Sequence, residues 1–209
     1  VVQDVQQADD GTVTGVTGTR NGDHVSYDAD VVIDAAGALS ILQDKTNFGH
    51  TFFDTNVQYS QFCSAYREVI GVEEPVEWAD AIVFKPTKEL GYLWYFPRTD
   101  TEINAGLGFQ MDQPEMQMVP ELKTAVENRA DLGKPKVKDK LGAALPTRRP
   151  YDSAVAPGYI AVGDAAGHVN PTTGGGIPGA AKSAYWATKR AISAIADGDV
   201  SESALWEYN

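Results

Sequence analysis

The stretch Tyr159-Ile160-Ala161-Val162-Gly163-Asp164-Ala165-Ala166-Gly167, continuing through His168-Val169-Asn170-Pro171-Thr172-Thr173 to Gly174-Gly175-Gly176-Ile177, decides how this chain is read. Its first four residues are apolar, as in a short buried strand. From Ile177 a run of small residues continues to about Ala196 and stops at Asp197-Gly198-Asp199, as a helix does. The loop between them holds one acid and three consecutive glycines. Asp164 stands just past the carboxyl end of the strand, where ligands of open α/β sheets bind. Gly174, Gly175 and Gly176 let backbone N–H groups approach a ligand with no Cβ in the way. The helix that follows turns its positive end to the same place.

Asp164 suits hydroxyl groups that donate to it. The helix end suits a ring edge that gains negative charge. A flavin, with its ribityl hydroxyls and its reducible ring, meets both demands. The competing reading is a glycine-rich turn with Asp164 as an N-cap, and a lone Gly-Asp pair would not separate the two.

Upstream, Asp9-Asp10-Gly11 and Asn21-Gly22-Asp23 separate short β-branched runs, which predicts a three-stranded antiparallel meander over residues 1–28. Val31-Val32-Ile33 reads as a short buried strand, with Gly37 allowing a tight turn after it. Residues 56–66, 77–85, 91–98 and 102–110 alternate or carry aromatic and β-branched residues between turn signals. They predict an antiparallel sheet. One amphipathic helix is expected over roughly 119–130. The basic run at 133–140 reads as a solvated loop or a strand edge, with a phospholipid headgroup contact as the alternative. The fold class is therefore α/β (α+β). Residues 1–48 and 146–209 form a discontinuous Rossmann-like part, and an antiparallel domain of residues 49–145 is inserted into it.

Composition limits the function classes. Of 209 residues, 17 are Lys or Arg and 29 are Asp or Glu, for a formal charge of −12. A general basic surface for nucleic acid is excluded, because phosphates would meet net repulsion. Eighteen of the acids are Asp and only ten residues are Lys. Such a surface suits a halophilic cytoplasmic protein, since the Debye length falls to ~3 Å at 1 M salt. An ordinary acidic domain is the alternative. The single cysteine, Cys63, excludes an internal disulfide and fits a reducing compartment. No apolar run is long enough to span a bilayer.

The string from Gly163 to Ile177 resembles the second flavin motif of the geranylgeranyl reductase family, within the FAD-dependent aromatic-hydroxylase fold superfamily. Three more patches occur in family order. Val31–Ser40 is similar to the superfamily's strand followed by an Asp-Gly motif. Gly91-Tyr92-Leu93-Trp94-Tyr95-Phe96-Pro97 is similar to the family's Tyr-x-Trp-x-Phe-Pro element. Leu145-Pro146-Thr147 resembles the family's approach to the last strand. The resemblance implies FAD as cofactor, bound by Asp164, Ala165, Gly174, Gly175, Gly176, Ile177 and Gly37. It implies that Tyr92, Trp94, Phe96 and Pro97 line a cavity holding an isoprenoid chain against the flavin. Strand alternation by itself puts residues 92, 94 and 96 on one face, though three rings on one face also suit a core.

The resemblance further implies saturation of geranylgeranyl C=C bonds, on archaeal-type lipids or on the free diphosphate. The electron donor, ferredoxin or NAD(P)H, is not specified, and no catalytic proton donor is named. Two departures stand out. Ala36 replaces the Asp of the superfamily motif, which argues weakly against direct NADPH binding. No Gly-x-Gly-x-x-Gly turn appears, so the chain reads as the C-terminal portion of a reductase and is expected to bind FAD poorly alone. Two other reactions suit the same fold: an aromatic-hydroxylase-like monooxygenase and an electron-transfer flavoprotein dehydrogenase. Ala36 and the aromatic element argue against the first. One cysteine rules out a four-Cys cluster for the second within this chain.

The remaining candidates are weaker. His24 and His50 read as solvated, and His168 as a spacer or a proton source. No spacing around them resembles a metal site. Arg148-Arg149 suits a phosphate of FAD or of a lipid headgroup, or an ion pair with neighbouring acids. A lipid substrate suits peripheral membrane contact, although no anchoring helix is visible.

Overall fold

Asn21 and Gly22 both adopt positive φ, 55° and 94°, which is what a two-residue hairpin turn demands. The turn joins β2 (Val13–Arg20) to β3 (Asp23–Asp28), and β1 (Val2–Gln7) pairs on the other side of β2. The expected meander is therefore present. His24 lies within β3, opposite Thr19, and not in a turn. The protein is described from a computed structural model covering residues 1–38, 40–46, 58–88, 90–112 and 117–209. His50 and the expected boundary at 48/49 lie outside the described residues.

The chain divides into two compact units, Val1–Val57 with Pro146–Asn209, and Gln58–Leu145. In the first, β4 (Val32–Asp34) runs parallel to β11 (Tyr159–Ala161), and β10 (Val155–Ala156) pairs antiparallel on the far side of β11. Alternation sends Ile160 and Val162 to one face, with Val155. There they meet Ala187, Ala191 and Ala194 of the 21-residue α3 (Ile177–Asp197). The alanines, at helical spacing, let the helix lie close on the sheet. Tyr159 and Ala161 pack on the other face with Val13, Leu42, Ala154, Ala165 and Ala166. α1 (Ile41–Lys45) follows β4, and α4 (Glu202–Leu205) follows α3, capped by Ser201.

A buried carboxylate joins these pieces. Asp34, 1% exposed, accepts hydrogen bonds from the Tyr159 hydroxyl, the Ser40 hydroxyl and, at 2.9 Å, the Ala36 N–H. Burial first, and Asp34 second, push the Tyr159 hydroxyl far above its ordinary pKa, so it stays a donor. Gln43 of α1 donates to the Ala165 carbonyl at 2.6 Å.

The second unit is a five-stranded antiparallel sheet of order β6-β7-β8-β5-β9. Its strands are β5 (Cys63–Gly71), β6 (Val83–Pro86), β7 (Gly91–Pro97), β8 (Glu102–Gln110) and β9 (Lys136–Leu145). One face carries Ile70, Tyr95, Ile103, Ala105, Leu107 and Phe109. α2 (Met118–Glu127) covers it with Leu122 and Val126.

Two strands differ from expectation. The strand expected at 56–66 begins at Cys63, after a 3-10 turn at Tyr59–Gln61, and the one expected at 77–85 is only β6. Arg67 and Glu68 interrupt the apolar alternation of β5, and Arg67 is instead matched across strands by Asp139 of β9 at 2.6 Å. The basic run at 133–140 is largely β9, of which the described residues pair on one side only. Lysines at 136, 138 and 140 suit such an edge, since charge discourages pairing with a second sheet. The expected helix ends three residues early, at Glu127, before a 3-10 turn at Ala130–Leu132.

Removing the Tyr159 hydroxyl leaves Asp34 one donor short in a buried site. Tyr159→Phe should lower unfolding stability by about 1–3 kcal/mol in urea denaturation, and a loss below about 0.5 kcal/mol would show the contact to be dispensable.

Candidate functional site

In the first unit, the carboxyl ends of β4 and β11 open into two turns. Gly37, with φ 86°, sits in the one after Asp34. Gly163–Ala166 forms a 3-10 turn in the other, anchored where the Gly163 N–H donates to Ser183 Oγ of α3 at 3.0 Å. Asn170 ties the rest of the loop. Its side-chain oxygen accepts from the N–H groups of Thr172 and Thr173, and its backbone exchanges hydrogen bonds with Gly174 and Gly175. Asn170 was not singled out from the sequence. An Asn followed by Pro and two threonines signals such a side-chain-to-backbone turn.

Asp164 is half-buried, and its carboxylate makes no hydrogen bond among the described residues. Burial raises its pKa above the ordinary aspartate value. A Cβ on Gly176 would stand 3.0 Å from Asp164 Oδ1, so the carboxylate lies directly against this glycine. Gly176 is also the N-cap of α3, where no side chain caps the helix. The first-turn N–H groups and the unpartnered acceptor thus occupy one place. Gly174 and Gly175 precede it, and Ile177 is 85% exposed beside it. Ala165 differs: its side chain is buried in the core and its carbonyl is taken by Gln43. Its part in any site is as backbone alone. An acceptor lacking a donor beside a helix end lacking a cap fits the ribityl hydroxyls and the reducible edge of a flavin.

In the second unit, the sheet face opposite α2 is a wall of rings. Tyr92 and Trp94 centroids are 5.8 Å apart, Trp94 and Phe96 are stacked at 5.9 Å, and Phe84 of β6 meets Tyr92 and Phe96 edge-on. The three β7 rings lie outside the unit's buried core, whose aromatic member from this strand is Tyr95. Phe84 is 52% exposed. Strand alternation puts Pro97 with Leu93 and Tyr95, away from the three rings. Across the ladder, Tyr92 faces Gly108, Trp94 faces Gly106 and Phe96 faces Asn104. A Cβ on Gly106 would collide with the Trp94 ring, so the glycine is what lets the indole lie over β8. Asn104 Oδ1 accepts from Trp94 Nε1 at 3.2 Å and fixes the ring's direction. Gly106, Gly108 and Asn104 went unnoticed in the sequence, because their meaning depends on pairing with β7.

Cys63 is half-buried at the start of β5, and burial pushes its thiol up to about 11, which keeps it unreactive at neutral pH. Arg149 pairs with Asp152 at 2.7 Å, the ion-pair alternative for that residue. His168 is half-buried and its pKa is lowered by burial. No cluster of potential metal ligands occurs among the described residues.

The family model described as tryptophan halogenase matches residues 1–209. The digeranylgeranylglycerophospholipid reductase of Sulfolobus acidocaldarius is 38% identical over 149 residues, covering 69% of this chain and 33% of that protein. A digeranylgeranylglycerophospholipid reductase 2 of Methanosphaera stadtmanae is 30% identical over 211 residues, covering 98% of this chain and 50% of that protein. The chain thus spans between a third and half of the length of these relatives. Among solved structures, a geranylgeranyl bacteriochlorophyll reductase-like protein from Thermoplasma acidophilum has a TM-score of 0.88 at 24% identity, over 99% of this chain and 51% of that one. The flavin-dependent halogenase CmlS has a TM-score of 0.68 at 21% identity, over 100% of this chain and 38% of that one. By its full-length match the chain belongs to the tryptophan halogenase family, with digeranylgeranylglycerophospholipid reductases among its sequence relatives.

Proposed function

We propose that this chain belongs to an FAD-dependent oxidoreductase that saturates C=C bonds of geranylgeranyl chains, on archaeal-type lipids or on the free diphosphate. The observation that carries the reading is an uncapped, glycine-rich helix start beside Asp164 in one unit, in a chain whose other unit carries a wall of four aromatic rings, three half-buried and one exposed. The reductase relatives, at 30% and 38% identity, favour reduction over halogenation. The halogenase structures resemble the chain in fold alone.

Each unit has its own task. When bound, FAD supplies the hydride for reduction of the alkene. Asp164 accepts ribityl hydroxyls, while Gly174, Gly175, Gly176 and Ile177 offer backbone N–H groups to the ring. Gly37 leaves space at the neighbouring strand end. In the other unit, Tyr92, Trp94 and Phe96 give a polyprenyl chain an apolar surface worth ~25 cal/mol per Å² buried. Holding the alkene still and dry lowers the entropic part of the barrier. A lipid substrate implies contact with a membrane surface. No described helix is long and apolar enough to cross one. An acidic surface suits work in concentrated salt.

Two experiments test the reading. The full-length protein, chemically reduced and given a geranylgeranyl lipid, should yield product heavier by about two mass units per saturated bond. A halide-containing product, or none while FAD is bound and reducible, would reject it.

The second concerns Asp164. Its raised pKa means that ionisation costs more in the folded chain than in the unfolded one. The stability of the protonated form is fully present below the ordinary aspartate pKa and is lost as pH rises through the raised one. Asp164→Asn should therefore raise the urea midpoint at pH 7 and leave it unchanged at about pH 3. In the full-length protein it should weaken FAD binding by about tenfold or more. Unchanged flavin affinity would remove Asp164 from the site.

A further inference from the structure

In a chain of formal charge −12, the first unit contains a cavity of about 1490 Å³ bordered by five cations, Arg148, Arg149, Lys182, Lys189 and Arg190, against one acid, Glu207. It is bordered by residues 148–151, the loop from 167 to 175, α3 from Pro178 to Ser193, and residues 207–209. Two glycines permit close approaches between these segments. A Cβ on Gly167 would stand 3.3 Å from Pro150 Cα, and one on Gly179 would collide with the His168 carbonyl. Arg148, His168 and Lys182 all border the cavity. Of the residues assigned to the flavin, Gly175 borders this cavity, and Asp164, Gly174, Gly176 and Ile177 do not.

The cations are not equally compensated. Arg149 pairs with Asp152, and Arg190 with Glu207 at 3.0 Å. Lys189 rests over the rings of Tyr185 and Trp186. Arg148 is held in place: its guanidinium lies 4.4 Å from the Tyr151 ring centre, and Nε donates to the Arg149 carbonyl at 3.2 Å. Yet Arg148 Nη1 is buried with no hydrogen-bond partner among the described residues, and so is His168 Nδ1. Lys182 has no ion-pair partner among them either. Arg148 and Lys182 have no acidic partner among the described residues, and an anion in the cavity balances their charge.

We propose that this cavity binds a phosphate-bearing ligand, with Arg148 and Lys182 holding the phosphate oxygens and His168 beside them. The guanidinium fork matches phosphate geometry, and Lys182 adds a point charge. Trp186, Val169 and Pro178 form an apolar border for the ligand's organic part. A dinucleotide and a phospholipid headgroup share the recognised chemistry. The assignment does not depend on the reductase reading.

The test uses the whole 209-residue chain with ¹⁵N-labelled histidine, without flavin, at low salt. Inorganic pyrophosphate is titrated to about 10 mM while the imidazole signals are followed. A saturable shift is expected at His168, accompanied by a rise of its burial-lowered pKa. Exposed His24 should not respond. Lys182→Met and Arg148→Met should each weaken binding by about tenfold or more. Lys182 is exposed, so its variant keeps the fold even if the Arg148 variant does not. NADPH and a short-chain phosphatidylglycerol are then compared. The tighter of the two names the source, and equal affinities leave phosphate itself as the recognised group. No saturable shift at His168, or one unchanged in the Lys182 variant, overturns the proposal. With flavin left out, that failure would leave the reductase reading untouched.

Discussion

Asp34 ends β4 inside the first unit, and three donors from three places in the chain converge on its carboxylate. An unpaired charge in this position would be strongly destabilising, so the donors are obligatory. Tyr159 brings β11, Ser40 brings the start of α1, and the Ala36 N–H closes the turn leading to Gly37. The carboxyl ends of two parallel strands are thereby fixed side by side. The glycine-rich loop after β11 starts from that frame. Gln43 extends it to Ala165, and Ser183 extends it to α3 through Gly163.

The second unit solves a different problem. One face of its sheet must be buried for the unit to fold, and α2 covers it. The other face carries four large rings, and cross-strand contacts order them. The rings of β6 and β7 pack on one another, and the glycines of β8 give Trp94 a bed beside them. Asn104 satisfies the indole N–H, which leaves the wall apolar without an orphaned donor.

Charge is distributed with the same economy. The lysines of β9 discourage edge pairing, with Lys138 tied to Glu102 at 2.8 Å. Of the cations around the cavity of the first unit, Arg149 and Arg190 pair with acids, and Arg148 and Lys189 rest on rings. Both groups stand out because the rest of the surface is acidic.

Much was legible in the sequence because local chemistry speaks for itself. Asn21-Gly22 dictates a hairpin through its backbone preferences. The alanine spacing of α3 dictates a helix lying on a sheet. Gly163–Ile177 announces a glycine-rich loop between a strand and a helix, and alternation puts Tyr92, Trp94 and Phe96 on one face. Other features needed partners distant in the chain. Arg67 and Glu68 hid β5, because the charge that steadies Arg67 lies 72 residues away on β9. Lysines at 136, 138 and 140 read equally as loop or strand until β9 proved to be an edge. Asp34 looked like the end of a strand until Tyr159 and Ser40 reached it. Gly106 acquired its meaning only opposite Trp94, and Arg148 and His168 only where two glycines brought their segments together. Periodicity and turn preferences act between neighbours in sequence, so the sequence by itself determined the elements and the loop. Burial, cross-strand register and unpaired donors depend on neighbours in space, so only the tertiary structure decided which residues those elements bring to one site.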